Sequence, residues 1–181
     1  DNALLRQALA DVCRQRKRFR EARRHYKAAM ELEPGLVSVY DSWGRMEASL
    51  GRHTRAAALY EQGLEVQPTA RLCHGLGVLL DTKGAHEQAR AVLTRGLALP
   101  NEQTNPQLLH ALAIVDVRAG NFAAARSALA SVVRLQPRFT MAHLSLGQLE
   151  ERLGHKQAAR RHYEAGATTK NAKGGLGAVQ L

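Results

Sequence analysis

Aromatic side chains are scarce: one Trp, four Tyr and three Phe, 4% of 181 residues. A sheet leans on aromatic and β-branched packing, so this scarcity favours close-packed helices rich in Ala and Leu. Cysteine is nearly missing. Cys13 and Cys73 fall on apolar helix faces in non-adjacent segments. They cannot frame a disulfide scaffold, so a reducing, intracellular compartment is expected. No apolar run approaches the ~18 residues that a spanning helix needs, and no membrane partner is expected. Acidic residues are outnumbered, 16 against 26 Lys and Arg, for a net charge of +10. That balance points to an acidic partner such as nucleic acid, an anionic membrane or an acidic peptide, or to a basic surface with no partner role.

Motifs for chemistry are missing as well. The eight histidines are scattered, with no HExxH and no close His/Cys cluster, so no metal is expected. Gly75-Leu76-Gly77 lies inside a helical pattern and follows no strand. Gly174-Gly175-Leu176-Gly177 follows Lys173, the wrong order for a phosphate loop. No Ser or Cys is flanked by a plausible base and turn. Neither an enzyme nor a cofactor is expected. The chain opens at Asp1 and not at Met, which suggests a longer precursor, with further repeats before Asp1 left open.

What is present is a repeat. Residues 39–68 read as two short amphipathic helices joined by a turn at Gly51 and closed by Pro68. Tyr40, Trp43, Gly44 and Glu47 mark the first helix, and Ala56, Tyr60, Gly63 and Leu64 the second. The pattern returns about every 34 residues, the spacing of a helical-hairpin repeat. Turn glycines stand at 51, 84, 120 and 154, with Lys17 in the same place in the first unit. Five units follow, at about 3–36, 37–69, 70–105, 106–139 and 140–170. Residues 171–181 are expected to break the helix, as a Gly-rich flexible tail or as a short apolar cap on the last hairpin.

The Gly, Ala and Pro positions resemble the tetratricopeptide repeat (TPR). A finer pattern resembles its half-a-TPR (HAT) branch. Glu47 and Glu150 lie four residues before a turn Gly, with Asp116 at the matching place. Ala-Arg pairs recur at Ala22-Arg23, Ala89-Arg90, Ala125-Arg126 and Ala159-Arg160. Tyr60-Glu61-x-Gly63 is echoed by Tyr163-Glu164-x-Gly166. The first and third units depart, with Cys13 and Leu80 at the acidic place, and Ala57 replaces an Arg. The resemblance implies an all-α fold, a right-handed superhelical solenoid of about five antiparallel hairpins. The HAT branch implies RNA processing or message stabilisation, in a chloroplast or other organelle or in the nucleus. The acid–Arg pattern itself suggests ion pairs within each hairpin, Glu150 with Arg160 and Asp116 with Arg126, serving as scaffold.

In such an array the first helices line the inner face. Counting along them projects Arg14, Arg45, Arg71, His74, His110, Arg118 and Arg152 into a groove, one Arg per unit. Guanidinium groups at the repeat spacing suit single-stranded RNA, because each grips two phosphate oxygens or stacks on a base. Ordinary solvated arginines are the alternative. Arg16, Lys17, Arg18, Arg20 and Arg24 form the densest charge, read as a phosphate anchor, a solubilising end cap or a face for a preceding unit. Trp43, Tyr26, Tyr60 and Tyr163 hold packing positions and read as core, with base stacking by Trp43 as the alternative. The places where chaperone-cofactor TPR proteins clamp a peptide carboxylate hold Asp11, Arg45, Val78, Ile114 and Gln148, with no Asn. A protein-interaction scaffold inside a larger assembly is the second functional reading, and a rigid spacer, or self-association through the end units, the third.

Overall fold

The computed structural model describes residues 2–174, with side chains described through 168. Among these residues it is all helix. Asp1–Leu99 forms one compact unit: α1 (Ala3–Gln15), α2 (Phe19–Leu32), α3 (Val37–Ser49), α4 (His53–Val66), α5 (Ala70–Thr82) and α6 (His86–Leu97). Pro100–Leu181 forms a second: α7 (Pro106–Arg118), α8 (Phe122–Leu135), α9 (Thr140–Arg152) and α10 (Lys156–Gly174). Each odd-numbered helix pairs with the next as a hairpin. Within a unit each hairpin then packs its second helix on the first helix of the hairpin that follows. This is the stacking of a helical-repeat solenoid.

Local chemistry sets the helix ends. Asn2, Thr69 and Asn105 cap α1, α5 and α7 with side-chain oxygens, and Pro106 opens α7 where its missing N–H costs nothing. Each hairpin turn has one residue in the left-handed region, at φ 72°, 78°, 82° and 83° for Gly51, Gly84, Gly120 and Gly154. The N–H of the following residue then reaches back to the carbonyl five earlier, as from Arg52 to Glu47 and from His155 to Glu150. Lys17 holds the same turn at φ 58° without being Gly.

Small residues let the helices of a hairpin approach. A Cβ on Gly44 would stand 2.6 Å from the Tyr60 ring, and one on Gly147 would collide with Tyr163. In the first unit Ala22, Tyr26 and Ala29 pack on Val39, Trp43 and Met46, with Tyr26 and Trp43 stacked at 5.9 Å. In the second, Ala125 and Leu129 pack on Leu146 and Leu149. Trp43 is therefore core, and so are Tyr26 and Tyr60. Tyr163 differs: it is half-buried and donates its hydroxyl to Glu151 at 2.8 Å.

The acid–Arg pairs also differ from the sequence expectation, because they join successive hairpins. Arg23 of α2 holds Glu47 of α3 through Nε at 2.7 Å and Nη2 at 3.0 Å. Arg126 of α8 holds Glu150 of α9 in the same bidentate way, with Nη2 at 3.0 Å. Arg126 thus turns to Glu150 and not to Asp116, which is itself buried. Arg160 pairs with Glu164 on its own helix, at 2.7 Å, and not with Glu150. The reason is orientation: the Arg in the first turns of a second helix faces the next hairpin, 24 residues ahead. Glu47 is fully buried and also accepts from Trp43 Nε1 at 2.8 Å. Burial alone would raise its carboxyl pKa, but Arg23, Trp43 and Arg55 outweigh it and hold the group below the usual range.

The last helix runs on to Gly174, past Asn171, where the sequence suggests a break. The proposed tail or cap at 175–181 lies outside the described residues.

Candidate functional site

Whereas α1 buries only Ala3 and Ala10, each of α3, α5, α7 and α9 buries most of its circumference and leaves one exposed or half-exposed stripe. On α9 this is Met141, Leu144, Gln148 and Arg152, and on α5 it is Arg71, His74, Val78 and Thr82. The α7 stripe is Gln107, His110, Ile114 and Arg118, and α3 shows Ser38, Arg45 and Ser49. Spacings of three, four and seven put each set on one helix side. The projected residues Arg45, Arg71, His74, His110, Arg118 and Arg152 all lie in these stripes.

They do not form a row of equal cations. Arg14 stands three residues before its turn residue, Arg45 six and Arg71 thirteen. Only Arg118 and Arg152 share a register, two before. In the first unit the charge is offset locally. Arg14 sits 3.4 Å from Asp11, and Arg45 3.7 Å from the buried Asp41. Asp11 also accepts the Tyr26 hydroxyl at 2.7 Å. Gln7 of α1 meets Ser38 of α3 at 2.7 Å, so the first helices touch through polar groups. His74 is half-buried, and burial lowers its pKa despite the opposing charge of Asp41, so it is neutral at pH 7. Burial, followed by Asp41, pushes the Tyr60 phenol up to about 12.

The second unit has a different face. Met141 and Leu144 are 52% and 40% exposed and lie one helical turn apart on α9. Arg152 ends the same stripe with its guanidinium 4.8 Å from the Phe122 ring centre, and Arg118 ends the neighbouring stripe on α7. His110 is fixed by Ser145 at 3.0 Å and by the edge of Phe139. Together these make two apolar side chains with guanidinium groups at one end. Sequence reasoning projected the arginines and missed Met141 and Leu144. The signal was there for Leu144, whose register holds Gln7, Asp41, His74 and His110 in the other units; the Met141 register is polar at Ser38, Arg71 and Gln107 but apolar at Leu4.

The basic anchor is an exposed patch. Arg16, Lys17, Arg18, Arg20 and Arg24 all reach solvent, and Arg18 lies 3.7 Å from Glu21. Beside them the first two turns of the unit frame a hollow of about 480 Å³, lined by Lys17, Arg18, Phe19, Arg20, Leu50 and Arg52 among others. Among the described residues no His, Cys, Asp and Glu cluster has the make-up of a metal site, and no helix is long and apolar enough to cross a membrane. Asp81, one position beyond Leu80, is buried and bonds His86 at 2.8 Å. It gives the third unit a carboxylate that spacing from the turn Gly misses.

Comparison with known proteins agrees with the fold. The tetratricopeptide repeat model matches residues 42–103 and 110–173. Three of the solved structures similar to the chain illustrate this. PilW, a widely conserved type IV pilus biogenesis factor, is 18% identical with a TM-score of 0.84, covering 93% of this chain and 78% of that one. MamA (41-end) from Desulfovibrio magneticus RS-1 is 20% identical with a TM-score of 0.78, covering 96% and 97%. YrrB, described as a TPR protein with an unusual peptide-binding site, is 17% identical with a TM-score of 0.69, covering 94% and 87%.

Proposed function

Because the chain belongs to the tetratricopeptide repeat family, we propose that it is a non-enzymatic scaffold that docks a protein segment on the stripes of its first helices. The observation that carries this reading is the α9 stripe, where exposed Met141 and Leu144 lead one helix side and Arg152 ends it, about 12 Å beyond Leu144 along the axis. Apolar anchors on a helix side that ends in a guanidinium match an extended peptide with an aliphatic or aromatic side chain and a carboxylate about four residues along from it. Methionine adapts its shape to such a partner, and an arginine forks onto a carboxylate. The peptide-binding site in YrrB's description supports the same use of a related fold.

A single strand of RNA fits these faces less well. A phosphate run over the first unit would meet Asp11 and Asp41 beside Arg14 and Arg45. The HAT branch carries the RNA association, and it rests here on Glu–Arg pairs that stitch hairpins together. The RNA reading keeps its footing only at the exposed basic patch around Arg18.

Peptide display on the full chain tests the proposal, with Leu144→Glu and Arg152→Glu proteins as counter-targets. Enriched peptides that combine a large apolar residue with Asp or Glu, and lose binding to both variants, are the expected result. Labelled oligouridylate provides the other arm. Binding to it that drops steeply with salt and ignores Leu144→Glu, with no peptide enriched, would move the function to RNA.

A further inference from the structure

Leu5, Leu9 and Val12 form a stripe on α1, 65%, 48% and 44% exposed. They stand twelve, eight and five residues before the turn residue Lys17. The same registers are apolar in every later first helix. At the first register Val39, Leu72, Leu108 and Ala142 are each fully buried. At the third, Met46, Leu79, Val115 and Leu149 are 1%, 5%, 1% and 2% exposed. For α3, α5 and α9 the cover is the second helix of the hairpin before. On α1 no described element covers them.

We propose that this face docks an amphipathic helix of a partner protein, running antiparallel to α1, with carboxylates in its first turn. The internal copies supply the template. Helix α2 lies on α3 with Arg23, near its start, reaching Glu47, near the end of α3. A helix laid on α1 in that manner starts beside Arg16, Lys17 and Arg18, all exposed. Asp or Glu there meets three cations and also suits the positive end of its own helix. Arg at that place is disfavoured, because Cys13 occupies the register of Glu47 and Glu150. The chain follows the same rule internally, since Ala57 replaces Arg where Leu80 replaces the acid.

A second copy docked end to end does not fit. Helix α10 carries Lys156 where α2 and α8 have Phe19 and Phe122, which pack on their cores. It carries Ala167 where they have Met30 and Val133, and its Arg160 and Glu164 pair at the surface, 81% and 61% exposed. That face offers charge where α1 offers leucine.

The probe is a labelled, stapled peptide of residues 122–135, the segment that covers α9, carrying Ala123→Glu, Ala124→Glu and Arg126→Ala. Its staple sits on the outward side, because so short a helix is marginal alone. Fluorescence anisotropy with the 181-residue chain is expected to show saturable binding. Leu9→Glu should weaken it about tenfold or more, through lost apolar burial. This residue is exposed in the chain alone, so the thermal melt should stay put. Arg16→Glu with Arg18→Glu should weaken it too, and a peptide with Lys at 123 and 124 should then recover affinity. No saturable binding, equal binding by Leu9→Glu, or no preference between Glu and Lys peptides overturns the proposal. So does a dimer of the free chain that Leu9→Glu dissolves, since the occupant is then a second copy. The stripes on α3, α5, α7 and α9 take no part, so failure here leaves the peptide-docking proposal standing, and the reverse.

Discussion

Arg23→Met should destabilise the Asp1–Leu99 unit by about 3 kcal/mol, at the lower end of what removing half of a buried ion pair costs. Its side chain is 18% exposed and the Glu47 side chain 0%, so solvent screens little of the pair. Glu47 keeps the Trp43 indole at 2.8 Å, with Arg55 at 3.7 Å and Arg52 at 3.9 Å. Those two arginines are half-exposed and compensate in part, which sets the lower end. Glu47→Leu should cost more, about 4–5 kcal/mol, because it strands Arg23 and also leaves a buried indole N–H without an acceptor. In the double variant no charge is stranded, and only the indole is left, at about 1–3 kcal/mol. The double should therefore be more stable than Glu47→Leu alone, with a loss falling roughly 4–7 kcal/mol short of the sum of the two single losses. Urea denaturation followed through Trp43 reads this directly, because the chain's one Trp sits inside the pair's own core. Losses that add within ~0.5 kcal/mol, or an Arg23→Met cost below ~1 kcal/mol, would refute the inter-hairpin clasp.

Three further outcomes follow from the same packing. Glu47 and Glu150 both titrate below the usual carboxylate range in the folded chain, where their bonded cations outweigh burial. The stability they contribute is complete above the unfolded value of about 4.3 and is lost as pH falls through the lowered folded value. Melting temperature should drop on that acid side, and less in Arg23→Met than in the parent. Gly44→Ala should cost about 1–3 kcal/mol by overpacking, because the added carbon meets the Tyr60 ring at 2.6 Å, whereas Gly35→Ala meets nothing within 4 Å and should be near neutral in the same melt. Lys17→Gly should stabilise by a few tenths to about 1 kcal/mol, since φ 58° strains any residue with a Cβ, and an unchanged or lower denaturation midpoint would contradict this.

The period, the turns and the helix pairs were legible because each rests on a local rule. Glycine at 51, 84, 120 and 154 marks a left-handed turn, and Ala22, Ala56, Ala89 and Ala125 mark close approach; all four of these alanines are fully buried. Trp43 was readable as core because its register is a packing register. The partner of each Arg was not. Glu150 is ten residues from Arg160 and 24 from Arg126, and sequence proximity favours the wrong one. Only the direction in which a second helix faces decides, and that is a property of the stack. Leu5, Leu9 and Val12 were equally opaque, since an apolar register reads the same whether or not a helix lies on it.

Registers that bury are constrained by neighbours in the chain, which is why they repeat. The stripes lie outside the packing registers of their own hairpins, so their residues can vary from unit to unit. An RNA strand is periodic in charge, and a face built for it would repeat a cation at a fixed register. Among the stripes only Arg118 and Arg152 do so; the others read Ser38, Arg45 and Ser49, or Arg71, His74, Val78 and Thr82. On α9 the two leading positions turn apolar, as Met141 and Leu144, half-exposed to solvent. A surface that varies from hairpin to hairpin matches a ligand that varies along its length. A protein segment has that property and a phosphate backbone does not, so aperiodicity weighs for a protein on the stripes, whatever binds the basic patch around Arg18.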